Sequence, residues 1–264
     1  MCSINCDYEY YLDFNNHTIR TTNIPITIQR NIPSIIIKNN SIKILNLILY
    51  SNNSHYENMK NILMPYLKYI KSILNFDFYF YCYDPNIKED FIIKDHVLYI
   101  KGKETYIPGI LEKTIRSFEI FKDVNYDYLV RTNISSIVDF KLLSVYLKIN
   151  DIQYGGSKIW VEPNDTKFVS GTCIVIRKDL VLRLLKDKNK INYKIIDDLS
   201  LGIYVYKVLK INMVGFGIIY NTDKIQNKLI VYRNHRGVNK RTEDLVAMKK
   251  LISQLLVMEK FRYF

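Results

Sequence analysis

A chain of 264 residues, 48% of them hydrophobic, can bury a full core, and one α/β domain with an added segment is the simplest partition. A formal net charge of +12 and a pI near 9.3 suit an anionic partner, namely nucleic acid, a membrane surface or a phosphorylated small molecule, although the Lys-, Asn- and Ile-rich composition also follows from an AT-rich genome. Apolar runs such as 44–50 and 76–83 fall short of the roughly 20 residues that cross a bilayer, and the opening Met-Cys-Ser-Ile-Asn-Cys-Asp lacks a secretory signal's basic and apolar regions, so no membrane span and a cytoplasmic location are expected.

Residues 1–40 are polar and aromatic, with extended pieces at 26–29 and 34–38 after Pro25 and Pro33, and read as an N-terminal appendage. The domain, 41–264, opens with an apolar strand at 42–50, interrupted only by Lys43 and Asn46, as in a parallel sheet covered on both faces. Ser54 with Glu57 reads as a capping box for a helix carrying Met59, Ile62, Leu63, Tyr66 and Ile70, with Pro65 as a kink. Strands follow at 76–83 and 97–100, then a helix over 109–121 with Leu111, Ile115 and Phe118 on one face and Lys113 and Arg116 on another. A strand at 128–130 runs out into Arg131, Thr132, Asn133, Ser135 and Ser136. Charge, hydroxyls and an amide thus stand just beyond a strand's carboxyl end, where α/β sheets bind ligands.

Further along, 140–149 reads as a helix, Gly155-Gly156 as a turn, 171–176 as a buried strand, 178–186 and 198–209 as helices, and 211–216 as a last strand. Thr242 with Glu243 and Asp244 caps a final amphipathic helix carrying Leu245, Met248, Ile252 and Leu255. Strands alternating with helices imply an α/β fold built on a βαβ sheet. Cys82 and Cys173 sit in apolar runs and are expected as buried free thiols, while Cys2 and Cys6 lack a Cys/His pair at metal-binding spacing. Phosphate-loop and dinucleotide glycine fingerprints are absent.

Four stretches, in order, carry a resemblance. They are Lys101-Gly-Lys-Glu-Thr-Tyr-Ile-Pro-Gly109 with Lys113-Thr114; Tyr128-Leu-Val-Arg-Thr-Asn-Ile-Ser135; Phe168-Val-Ser-Gly-Thr-Cys-Ile-Val-Ile176 with Arg177-Lys-Asp-Leu180; and Asp197-Asp-Leu-Ser-Leu-Gly202. Together they resemble glycosyltransferases of the GT-A fold, in the branch of the galactosyltransferase and Fringe enzymes, which implies an α/β fold with a Rossmann-type mixed, mainly parallel sheet flanked by helices. That branch has Asp-x-Asp where this chain has Asn133-Ile134-Ser135, and a second glycine where it has Thr172.

The resemblance implies transfer of a hexose or N-acetylhexosamine from a nucleotide sugar, expected to be a UDP-sugar, to a glycan or glycosylated acceptor with inversion. Asp198 carries over as the base that deprotonates the acceptor, with Asp197 as alternate; the bare residue reading of both acids is a helix start. Lys113, Arg131, Thr132, Asn133, Ser135, Arg236, Lys240 and Arg241 are the expected donor-binding residues, and Trp160, Ser170 and Gly171 the acceptor-binding ones. Asn133, Ser135 and His235 are the candidate ligands of Mn2+ or Mg2+, although the first two offer only neutral oxygens to a hard cation. The basic run 232–241 suits a pyrophosphate clamp on this reading and a solvated surface otherwise, and for Trp160, the only tryptophan, core packing is the competing assignment. A nucleotide-sugar-binding protein without catalysis is the first alternative. A basic nucleic-acid-binding module is the second, although no nucleic-acid motif accompanies the tyrosines. The residue bias fits a large DNA virus, hence host cytoplasm or virion, or a bacterium that decorates its own surface polymers.

Overall fold

The computed structural model describes residues 12–13, 18–20, 25–27, 41–163, 165–226 and 229–261. Strands β1 (Leu12–Asp13), β2 (Thr18–Arg20) and β3 (Pro25–Thr27) form a small antiparallel sheet, whereas the extended piece expected at 34–38 lies outside the described residues, as do Cys2 and Cys6. The main body then runs β4 (Ile44–Leu49), α1 (Ser54–Ile73), β5 (Phe76–Asp84), β6 (Phe91–Lys94), β7 (Val97–Lys101) and α2 (Gly109–Phe121). It continues through β8 (Tyr128–Asn133), β9 (Ser136–Val138), α3 (Phe140–Ile149), β10 (Tyr154–Gly156), β11 (Ile159–Val161), β12 (Lys167–Val169), β13 (Cys173–Arg177) and α4 (Lys178–Lys186). Last come α5 (Asp197–Ile203) with a π-helical continuation over Tyr204–Val208, β14 (Val214–Gly215), β15 (Ile218–Tyr220), β16 (Val231–Arg233) and α6 (Arg241–Phe261).

Eight strands form one sheet in the order β14-β10-β13-β8-β4-β5-β7-β6. Only β13 and β6 oppose the common strand direction, which is the mixed, mainly parallel α/β sheet the resemblance implies. The central strands are apolar on both faces because both faces are covered. Ile44 and Ile48 of β4, with Phe78 and Phe80 of β5 and Val130 of β8, pack under Met59 and Leu63 of α1, Leu143 of α3 and Met248 of α6. Leu45 and Leu47, with Leu129, Ile174 and Ile176, pack on the other face under Leu111 and Phe118 of α2, Leu184 of α4 and Leu201 of α5. Each such side chain contributes about 1.5–3 kcal/mol by leaving water, so this three-layer core is the main source of stability.

Four local expectations change. The first helix is capped by Asn53, whose side chain accepts from the Tyr56 amide, one residue before the expected Ser54; Glu57 instead accepts from the Tyr50 hydroxyl. Lys113 and Arg116 part company, Lys113 being buried while Arg116 is half-buried beside Glu119. Thr242 lies inside the first turn of α6, and Gly155-Gly156 is strand β10 and not a turn. A Cβ on Gly155 would stand 2.6 Å from the Val214 carbonyl oxygen, and one on Gly156 would overlap the Cys173 carbonyl, so the pair is glycine because two neighbouring strands approach its backbone. Cys82 and Cys173 are buried free thiols as expected. Among the described residues, no helix is long and apolar enough to cross a membrane.

Gly156→Ala is expected to destabilise the fold by about 1–3 kcal/mol through this overlap, seen as a lower urea midpoint. An unchanged midpoint would remove close approach as the reason for the glycine.

Candidate functional site

The parallel strands β4, β7 and β8 end on one side of the sheet, and a cleft of about 440 Å³ opens there. Leu49 ends β4 and Tyr50 and Ser51 follow it, Glu104, Thr105 and Tyr106 follow β7, and Asn133 ends β8 with Ile134 and Ser135 after it. Tyr56, Lys113, Arg233, His235 and Arg241 close it. Two grooves of about 550 and 790 Å³ lie elsewhere, but their arginines are already paired, Arg116 with Glu119 and Arg177 with Asp151 and Asp179.

Beneath the cleft, Arg131 projects from β8 and is only 1% exposed. Its Nη2 donates to Asp197 Oδ2 at 2.5 Å, its Nη1 to the Gly171 carbonyl, and its Nε to the Tyr81 hydroxyl at 3.4 Å. Tyr81 in turn meets Thr114 of α2 at 2.9 Å. Burial, the largest single influence, pushes the Arg131 pKa down, but Asp197, Tyr81 and Asp198 together more than offset it, so the net shift is upward. Next to this pair, Asp198 Oδ2 accepts from the Gly171 amide at 2.8 Å and Oδ1 from the Leu199 amide at 2.9 Å. A Cβ on Gly171 would stand 2.7 Å from Arg131 Nη1 and 3.2 Å from Asp198 Oδ2, so the glycine lets the Arg131 and Asp198 groups close on the same turn. Burial, followed by the adjacent Asp197, raises the Asp198 pKa above the ordinary carboxylate range, against the opposing Gly171 amide and Arg131.

The turn at 170–172 connects this acid pair to the cleft. The Ser170 and Thr172 hydroxyls are 3.0 Å apart, the Thr172 hydroxyl accepts from Arg233 Nη1 at 2.8 Å, and the Thr172 carbonyl accepts from the Asn133 amide at 3.3 Å. Arg233 is the residue sequence reasoning missed. It sits at the end of β16, which pairs β15 and β9 in a separate sheet with Arg233 opposite Ser136, and three residues of strand leave too little alternation to read. Tyr106, 69% exposed on the cleft rim, was likewise not singled out.

Of the expected donor residues, the structure brings Lys113, Asn133, Ser135 and Arg241 to the cleft, together with His235. Arg131 and Thr132 are not in contact with it. Arg131 is used up by Asp197, Gly171 and Tyr81, and the strand's alternation turns Thr132 to the opposite face, where its hydroxyl meets Asn46 at 3.3 Å. Arg236 is also withdrawn: its backbone amide and Nη1 bond the buried Asp244, and its Nη2 bonds the Asn221 carbonyl. Lys240 is exposed and does not line the cleft. Lys113 reaches it but donates to both Glu104 oxygens at 2.6 and 2.7 Å and to the Tyr50 carbonyl, while burial lowers its pKa. Trp160 is 43% exposed on the β11–β12 hairpin with Lys158 Nζ 4.2 Å from its ring centroid, so it is not a core residue.

The donor chemistry does not fit a divalent metal ion. Asn133 and Ser135 are neutral, His235 is the third ligand candidate, and Glu104, the one carboxylate among the described lining residues, is held by Lys113 through both oxygens. Hard dications require carboxylate charge to offset their dehydration, and among the described residues no three His, Cys, Asp or Glu side chains cluster as a metal site.

No family model and no curated protein matches the chain. Among solved structures, it is similar to the galactosyltransferase LgtC, crystallised with donor and acceptor sugar analogues, at 11% identity and a TM-score of 0.42 over 77% of this chain and 95% of the other. It is also similar to a glycosyltransferase involved in glycosylation of the major capsid of PBCV-1, at 11% identity and a TM-score of 0.45 over 78% and 99%.

Arg131→Met is expected to cost about 3–5 kcal/mol in denaturant unfolding, because Asp197 keeps a buried charge with no partner. The double variant Arg131→Met/Asp197→Leu should recover part of that loss; no recovery would mean that the ion pair is not its source.

Proposed function

We propose that the protein is a glycosyltransferase that moves a hexose or N-acetylhexosamine from a nucleotide sugar, a UDP-sugar in the first instance, to a glycan or glycoconjugate acceptor with inversion. One juxtaposition supports this reading above all. A basic cleft at the carboxyl ends of parallel strands stands one turn away from a half-buried carboxylate, Asp198, whose pKa is raised. The sequence resemblance supports it independently, since it reaches the same acid from the motif at 197–202.

In this mechanism the nucleotide lies in the cleft, with Tyr56 and Tyr106 offering aromatic faces to its base and Asn133 and Ser135 offering polar groups to its sugars. The acceptor approaches from the side of Ser170, Gly171 and the exposed Trp160. Asp198 takes the proton from the acceptor hydroxyl as the oxygen attacks the anomeric carbon, and the bond to the diphosphate breaks with its electron pair leaving on the phosphate oxygen. Attack opposite the leaving group inverts the centre. Asp197 does not share this work, because Arg131 holds it; its part is to keep the neighbouring Asp198 carboxyl basic and in place.

A panel of nucleotide sugars, scored for thermal stabilisation of the protein and for sugar release or transfer, tests the reading. Stabilisation and turnover by one donor are expected. Stabilisation without turnover favours a non-catalytic binding protein, and binding of nucleic acid that falls steeply with salt and ignores nucleotide sugars favours a nucleic-acid module. Asp198→Asn should lower transfer by about 10²- to 10⁴-fold with donor binding retained. The base works deprotonated and its pKa is raised, so kcat/KM should climb with pH along an acid limb lying above the ordinary carboxylate range of about 4 and be lost as pH falls through it. A flat profile across that range would remove Asp198 from the role.

A further inference from the structure

A nucleoside diphosphate carries several negative charges, and the cleft answers them unevenly. Lys113, Arg233 and Arg241 are its lysine and arginine side chains among the described lining residues, and Glu104 is its carboxylate. Lys113 and Glu104 neutralise each other at 2.6 Å, which leaves two guanidinium groups without a carboxylate between them. Arg233 is anchored through Nη1 to the Thr172 hydroxyl, but its Nε is buried and has no partner. Burial lowers its pKa, and although Tyr220 and Asp198 oppose the shift, Arg131 adds repulsion. Arg241, half-buried at the start of the 21-residue helix α6, forms no ion pair among the described residues. The pairing of β16 with β9, extended by the bond from the Asn234 amide to the Ser135 carbonyl at 3.3 Å, sets Arg233 beside the loop that carries Asn133 and Ser135 into the cleft.

We propose that Arg233 and Arg241 take the place of a divalent cation, binding the donor's diphosphate directly so that the sugar leaves without a metal ion. The inference rests on the reading of the cleft as a nucleotide-sugar site and specifies what holds the leaving group there. The ligand class is a nucleoside diphosphate, and the diphosphate is the part recognised. A guanidinium presents parallel N–H donors that match two phosphate oxygens, and a buried donor left unpaired in the free protein gains most when such an oxygen arrives. When the anomeric bond breaks, the electron pair and the new negative charge stay on the diphosphate oxygen, the guanidinium groups offset that charge while keeping their protons, and no co-reactant is needed. Asn133 and Ser135, standing where a metal-binding site would need carboxylates, remain neutral polar contacts.

Isothermal titration calorimetry of the full chain with UDP, GDP and inorganic pyrophosphate, run in buffer containing EDTA and again with Mn2+, tests the proposal. UDP or GDP should bind in EDTA with an affinity within about twofold of that in Mn2+, and pyrophosphate should compete for the same site. Arg233→Ala and Arg241→Ala should each weaken that binding about tenfold or more, equivalent to about 1.4 kcal/mol. Arg233→Lys should recover only part of the loss, since it keeps the charge without the fork. Among the described residues the Arg241 side chain makes no hydrogen bond or ion pair, so Arg241→Ala remains informative if the Arg233 variants fold poorly. Binding that requires Mn2+, or wild-type affinity in the Arg241→Ala variant, overturns the clamp and leaves the cleft a nucleotide site. No binding of any of the three probes in either buffer overturns the nucleotide-sugar reading and the clamp with it.

Discussion

Arg131 is a charge placed at the centre of an apolar sheet, and it is tolerated because Asp197 is placed to meet it. An unpaired guanidinium at that depth would cost several kcal/mol, so β8, the turn at 170–172 and the start of α5 must come together in one arrangement or not at all. Tyr81 and Thr114 extend the same chain of bonds to β5 and α2. The result ties the middle of the sheet to both walls of the site. Such a pair is a poor source of net stability, but it is an effective source of registration. Asp198 inherits that registration as the next residue of α5, against the 170–172 turn where Gly171 leaves no room for a side chain.

The cleft and the acid are built from different materials. Asn133 and Ser135 leave the end of a strand paired on both sides, β4 to one side and β13 to the other, so the cleft floor moves only with the sheet. Glu104, Thr105 and Tyr106 belong to a connection between β7 and α2, and Arg233 and Arg241 to the outer segment around the small β15–β16–β9 sheet. A floor fixed by the core and walls supplied by connections is the usual division in α/β sheets, because the carboxyl ends of parallel strands must hand over to loops there.

The central strands were readable because burial on both faces leaves nearly unbroken apolar runs, as at 44–49 and 76–84, and the helices at 140–149 and 178–186 because amphipathic spacing ends abruptly at their bounds. The short strands β6, β15 and β16 were not readable, being three or four residues long. Gly155-Gly156 misled because paired glycines serve turns and close strand approach alike, and only the neighbours at Val214 and Cys173 distinguish these uses. In the candidate site, the motif at 197–198 located the acids, but the basic run at 232–241 did not disclose which side chains turn inward. That was decided by tertiary register: pairing with β9 turns Arg233 into the cleft, while the buried Asp244 draws Arg236 away.

The order of these parts along the chain has a bearing on synthesis. Asp197 and Asp198 and the strands that seat them all precede Arg233 and Arg241, and the sheet holding Arg233 cannot close until β16 returns to β9 from far downstream. A nascent chain therefore acquires Asp198 before Arg233 and Arg241. On the proposed mechanism, a polypeptide halted partway would carry a base without the guanidinium groups that hold the donor's diphosphate, and would spare the cell's activated sugars from futile hydrolysis.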